Sequence, residues 1–207
     1  MNNLLLLLKK QKSLQIFTIV QRYLIGFAWV FSSIVKIEGK RFTSESAAST
    51  PINDAFHLFE TLYQSGLYWN FLGLCQLLTG FLLMTQLYST IGALMSLPII
   101  LNIFVITVSY QFAGTPYITF LMLLSNLYLI IWDWDIIKML FLPEKFTYIK
   151  PDINLMKHRS WVYLGLIYFV LTILLKKYMF SFFILVFFVG IMFLAGITVM
   201  LYNLYKK

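Results

Sequence analysis

The chain has 207 residues, 60% of them hydrophobic, 18% aromatic and only 12% charged. That is about half the charge of a soluble domain, so the composition excludes one and predicts an all-α, polytopic membrane protein. The net charge of +8 does not point to nucleic acid, because the basic residues are scattered at the ends of apolar segments, where they act as anchors and topology signals.

The opening MNNLLLLLKK has too few leucines for a signal peptide's apolar core, and no cleavage-like site follows it. Residues 1–13 are expected to be a cytoplasmic lead-in. Apolar runs then appear at 14–35, 68–86, 88–110, 116–135, 160–176 and 178–203, at roughly 20 residues per crossing. The fifth run is short and spans only if Lys176 and Lys177 snorkel outward; one long bent helix with a re-entrant piece is the alternative. Short joints, QLYS and QFAGTP, make the first four helices an antiparallel bundle over 14–137. A cytoplasmic linker, 138–159, leads to a C-terminal transmembrane hairpin and tail, 160–207.

Orientation follows from the basic residues. With both termini inside, Lys9, Lys10, Lys12, Lys138, Lys145, Lys150, Lys157, Arg159, Lys206 and Lys207 are cytoplasmic. Lys36, Lys40, Arg41, Lys176 and Lys177 are external, and that bias favours the N-inside arrangement of a bacterial inner-membrane protein.

The external loop, 37–67, begins as polar, irregular chain. PINDAFHLFETLYQSG then reads as a short helix started by Pro51 and ended by Gly66. Ile52, Phe56, Phe59 and Tyr63 recur at helical spacing and are expected to be buried at the interface or on the bundle, leaving Asp54 exposed. Asp54, His57 and Glu60 stand three apart and offer metal-ligand chemistry, but such a set is more often the wet face of an amphipathic helix, and no metal site is assigned. With His57 outside and His158 inside, a bis-histidine haem is excluded. One cysteine, Cys75, excludes a disulfide or dithiol within the chain.

Arg22 lies well inside the first apolar run, some 12 Å above the inner boundary at 1.5 Å per residue. A guanidinium stays protonated, so the fold must solvate it. Counting by helical turns gives one polar face: Arg22, Gly26, Trp29, Ser33 and Lys36. The next helices repeat the pattern with Trp69, Gly73, Gln76 and Gly80; with Gly92, Met95, Ile99, Asn102 and Ser109; and with Thr119, Met122, Asn126 and Asp133. Gln76, Asn102 and Asn126 each bring a carboxamide acceptor to the bilayer, and Asp133 offers a carboxylate for Arg22. Two readings stay open: a hydrogen-bonded clasp that fixes helix packing, or a polar pocket for the head of a quinone- or lipid-like molecule. At the outer end, Lys36 is expected to pair with Glu38 or Glu60 and hold the loop helix, or else to meet an anionic head group.

RYLIGFAWVFSSIVK resembles the first-helix signature of the DoxX-like membrane proteins: an arginine, a glycine four later, then phenylalanine-serine-glycine, two residues and a lysine. Arg22, Gly26, Phe31, Ser32 and Lys36 match, while Ser33 stands where the family has glycine, which marks a divergent branch. The four-helix, N-inside arrangement resembles that family too; the last two helices are an addition it does not cover. The resemblance implies an accessory or small-ligand-binding component of a membrane redox system, with quinone as the implied ligand. It brings no catalytic residues, so whether the chain is an enzyme stays open. The alternative is an assembly or interaction subunit whose polar core is structural and whose hairpin docks a membrane-protein partner.

Overall fold

The computed structural model describes residues 7–42, 46–141, 153–178 and 182–205, and all regular structure among them is helical. After one helical turn at 7–10 come α1 (Lys12–Ile37), α2 (Ala55–Gln64), α3 (Leu67–Met84), α4 (Ser89–Ser109), α5 (Thr115–Trp132), α6 (Trp134–Phe141), α7 (Arg159–Tyr178) and α8 (Phe182–Tyr205). Five of them (α1, α3, α4, α5 and α7) are long and apolar enough to cross a membrane. Their outward faces are Leu, Ile, Val and Phe, as lipid demands. The chain is a multi-pass helical membrane protein.

α1 is the central helix. α3, α5 and α7 pack around it, α4 packs on α3 and α5, and α8 pairs with α7. The contact with α3 is close because both helices carry glycine there: a Cβ on Gly26 would lie 2.4 Å from Met84 Cγ, and one on Gly80 would lie 2.8 Å from the Gly26 carbonyl oxygen. Small residues at the crossing let backbones approach, which is how membrane helices gain packing energy without a hydrophobic drive. The polar face of α1 is the buried one, and Arg22, Gly26, Trp29, Ser33 and Lys36 all lie inside. So do Trp69, Gly73, Gln76 and Gly80 of α3.

α7 reaches 20 residues, a full crossing, by including Arg159 at one end and Lys176 and Lys177 in its last turn. It joins the bundle through Gly165, where a Cβ would fall 1.8 Å from the Met84 carbonyl oxygen. The Tyr23 hydroxyl donates to the Trp161 carbonyl at 2.6 Å, and its ring meets Tyr168 edge-on. Two helices, not one bent helix, make the hairpin: Asn203 and Ser160 exchange hydrogen bonds at 2.7 and 3.1 Å, and the Tyr168 hydroxyl donates to the Met192 carbonyl. Much of the anticipated linker, 142–152, lies outside the described residues, but its first residues continue α6.

The loop helix departs from expectation. It starts at Ala55, not Pro51, because the Asp54 carboxylate accepts from the Phe56 N–H at 2.7 Å and caps it. Its buried residues are Ala55 and Glu60. Ile52 is 82% exposed, and Phe56 remains 41% exposed although its ring packs on Phe112. Phe59 is half-buried between Phe42 and Phe112. The helix is held by a polar contact, and its aromatic face rests on the α4–α5 turn.

Candidate functional site

Arg22 is 6% exposed and forks onto Asp133, with Nη2 donating to Oδ1 at 3.2 Å and to Oδ2 at 3.0 Å. Nη1 donates to Gln86 Oε1 at 3.2 Å, and the Thr90 hydroxyl donates to Asp133 Oδ2 at 2.8 Å. These four residues tie α1 to the α3–α4 turn, to the first turn of α4 and to the end of α5. Gln86 reaches Arg22 because its backbone takes φ +61°, an uncommon conformation for a non-glycine residue, which closes the turn after α3. Asp133 interrupts the fourth span: its N–H completes α5 through the Leu129 carbonyl, and its own carbonyl accepts the first bonds of α6. A carboxylate there opposes the dipole of α5 and suits that of α6, and the guanidinium neutralises it. Arg22 is therefore level with the ends of its neighbours, not with their middles. Ten residues of α1 precede it, and they are still packed: Thr18 and Ile19 are fully buried, with the Thr18 hydroxyl 2.9 Å from that of Tyr128 on α5.

A second ionic group adjoins the first. Lys9, 3% exposed, donates to Asp135 Oδ2 at 3.1 Å, and Lys138 donates to Oδ1 at 2.8 Å. The Gln15 side chain donates to the Lys9 carbonyl at 2.8 Å, and the ammonium stands 5.9 Å from the centre of the Trp132 ring. Burial pushes the Asp135 carboxyl up, but its bonds to Lys138 and Lys9 outweigh that and hold it below the usual carboxylate range. The N-terminal segment is thus clipped onto α6.

The anticipated ring of carboxamides does not form around Arg22. Gln76 accepts from the Ser32 hydroxyl at 3.3 Å. Asn126 donates to the Ala93 carbonyl at 3.1 Å, and its Oδ1 is buried without a partner, as is Arg22 Nε. Asn102 is exposed on the outer side of α4, together with Ser109. The buried face of α4 is instead Ser89, Gly92, Ala93, Ser96, Ile100 and Thr107, and Ser96 accepts from Trp29 Nε1 at 2.8 Å. At 100° per residue, Asn102 lies roughly 140° round the helix from that face. Counting from Gly92 through Met95 and Ile99 follows a row that drifts outward. Gln86, Thr90, Lys9 and Asp135 are the residues that sequence reasoning missed. The signal for Gln86 was a polar residue in the tight turn after α3.

At the other end of α1, Lys36 is 7% exposed but pairs with no carboxylate among the described residues. It donates to the Ser32 carbonyl at 2.9 Å and lies 5.0 Å from the Trp69 ring centre and 5.5 Å from that of Phe42. Glu38 binds Lys40 at 2.7 Å. Glu60 takes Arg41 Nε on both oxygens at 3.1 and 2.9 Å, with Gln64 at 3.3 Å and the Ala47 N–H at 3.4 Å. The bond from Arg41 holds the Glu60 carboxyl below its ordinary range and Gln64 and Ala47 reinforce it, against the opposing effect of desolvation. His57 Nδ1 lies 2.9 Å from the Thr50 carbonyl oxygen. Asp54, His57 and Glu60 are each engaged elsewhere, and among the described residues no three His, Cys, Asp or Glu side chains converge. Cys75 is half-buried.

A groove of about 220 Å³ opens between α1 and α5, lined by Leu24, Leu121 and Met122 with Gln21 and Ser125 as its polar groups. No protein-family model matches the chain, and neither does a curated protein or a solved structure. What the residues establish is a multi-pass membrane protein with an ionic cluster buried at one end of its helices and an aromatic-walled lysine at the other.

Proposed function

We propose that this chain is a DoxX-like accessory protein of a bacterial inner membrane, with both termini cytoplasmic, acting as a non-catalytic assembly or interaction subunit whose polar core is structural. The observation that carries the reading is that both terminal nitrogens of Arg22 are engaged within the chain: they bond to Asp133 and Gln86, Thr90 closes the carboxylate, and only the buried Nε is left without a partner. A head-group site would keep donors directed into open space, whereas this cluster joins four parts of the chain. Its position at the end of the bundle, beside the clipped N-terminal segment, fits a device that holds the cytoplasmic face of a docking module in shape.

A second reading is favoured by the groove between α1 and α5. Gln21 and Ser125 are polar groups in an apolar, membrane-facing channel, a setting that suits the carbonyl of a quinone or the ester of a lipid. The two readings separate by mass spectrometry of the protein extracted from its own membranes in mild detergent. The assembly reading expects a stoichiometric membrane-protein companion and no stoichiometric quinone. A bound quinone that is lost in both Gln21→Leu and Ser125→Leu would replace it with the second.

A further inference from the structure

We propose that the outward face of α4 is the seam of a parallel homodimer centred on Asn102. This stands apart from the functional reading above, since it rests on a different face of the molecule. α4 packs chiefly on α3 and α5, and among the described residues no other helix packs on it to a comparable extent. On that side Ile91, Pro98, Asn102, Val105 and Ser109 are all exposed. Their steps of seven, four, three and four residues are the 3.5-residue repeat of a helix that winds along a partner helix. The stripe runs nearly the whole length of α4.

Asn102 is the centre of the case. It lies roughly 20 Å from one end of α4 and 10 Å from the other, so it is deep in hydrocarbon. A carboxamide two bonds from the backbone cannot snorkel out, lipid offers it no partner, and it makes no hydrogen bond among the described residues. Association with another helix is the way such a group is satisfied.

A second copy is the occupant that fits. A carboxamide is both donor and acceptor, so two of them facing across a two-fold axis satisfy each other. All copies insert in the same direction, so an axis along the membrane normal brings Asn102 opposite Asn102 at equal depth. A helix from another protein would need its own polar residue at that depth. The stripe carries no charge, so an oppositely charged helix gains nothing there.

The test uses the full chain in lipid vesicles, half of it labelled with a donor fluorophore and half with an acceptor. Energy transfer is followed as lipid dilutes the protein. The parent is expected to associate and Asn102→Gln to retain it. Asn102→Leu should need about tenfold more protein per lipid, the fold-change that one interhelical hydrogen bond supplies. At dilutions where both are monomeric its thermal unfolding should match the parent's, because Asn102 is exposed and makes no hydrogen bond among the described residues. In a Cys75→Ala background, Val105→Cys should form a disulfide-linked dimer on oxidation, and Tyr163→Cys on the exposed face of α7 should not. A parent that stays monomeric at every dilution overturns the proposal, as does Asn102→Leu associating like the parent, or equal cross-linking at the two cysteines.

Discussion

Replacing Arg22 by leucine keeps the volume of its stem but strands Asp133, whose only remaining partner among these side chains is the Thr90 hydroxyl at 2.8 Å. The side chains of Arg22 and Asp133 are 7% and 8% exposed, so water does little to repair the loss. Breaking a buried pair from one side costs roughly 3–5 kcal/mol. Gln86 also loses its donor, a neutral loss of about 1–3 kcal/mol where water is excluded. Asp133→Leu strands the guanidinium with Gln86 alone and should cost a similar amount. The double variant, Arg22→Leu with Asp133→Leu, removes both charges together, leaving Gln86 and Thr90 unsatisfied, and should lose only about 1–3 kcal/mol. Arg22→Lys keeps the charge without the fork and should fall between parent and leucine variant. Reversible unfolding in mixed detergent micelles, read by far-UV circular dichroism, measures all four. The decisive quantity is non-additivity: a double variant whose loss equals the sum of the single losses would refute the ion pair as the unit that holds these helices. So would single variants as stable as the parent.

Lys36 should behave in the opposite way, because no carboxylate among the described residues would be stranded by its loss. Lys36→Met is expected to unfold at the same denaturant concentration as the parent or higher, since a well-packed apolar group often improves on a buried charge; a loss above about 3 kcal/mol would show a hidden anionic partner. Gly165→Val should push α7 off the Met84 backbone, costing about 1–3 kcal/mol or releasing the hairpin. Gly190→Ala, inside α8 and with nothing within 4 Å of the new Cβ, should not lower thermal stability. The loop helix should be pH-sensitive: Glu60 titrates below its unfolded value of 4.5, so its hold on Arg41 is complete above that pH and lost as pH falls through the lower folded value. Protease cleavage within 55–64, slow at neutral pH, should quicken on acidification in the parent, while Glu60→Gln is cut quickly throughout. In a Cys75→Ala background, cysteines at Ser46 and Asn154 should react with an impermeant reagent from opposite sides of the membrane, Ser46 from outside; labelling from one side would remove the topology.

The sequence by itself determined the class of the protein, the approximate limits of its spans and the polar face of its first helix. Each rests on local physics. A run of about 20 apolar residues is long enough to cross a bilayer whatever its neighbours do. A stripe holding Arg22, Gly26, Trp29, Ser33 and Lys36 must turn away from lipid, so its burial follows from α1 alone. The pairing of Arg22 with Asp133 was also legible, since a buried guanidinium calls for a carboxylate and Asp133 falls on the polar stripe of the fourth span, seven residues after Asn126.

Tertiary structure decided the partners, because they depend on two quantities that a periodic pattern does not carry. One is the axial offset between helices. The height of α1 against α3 and α5 puts Arg22 beside Gln86 in a turn and Asp133 at a helix end, instead of beside Gln76 or Asn126 in mid-helix. The same offset leaves Lys36 against Trp69 and Phe42, while Glu60 goes to Arg41. The other is azimuth. α4 carries its few polar residues on opposite sides, so its sequence fits several faces equally well, and only contact with α3 and α5 selects Gly92, Ser96 and Ile100 for the interior and turns Asn102 outward. A helix states its own period; which side faces inward, and at what height, is set by the helices beside it.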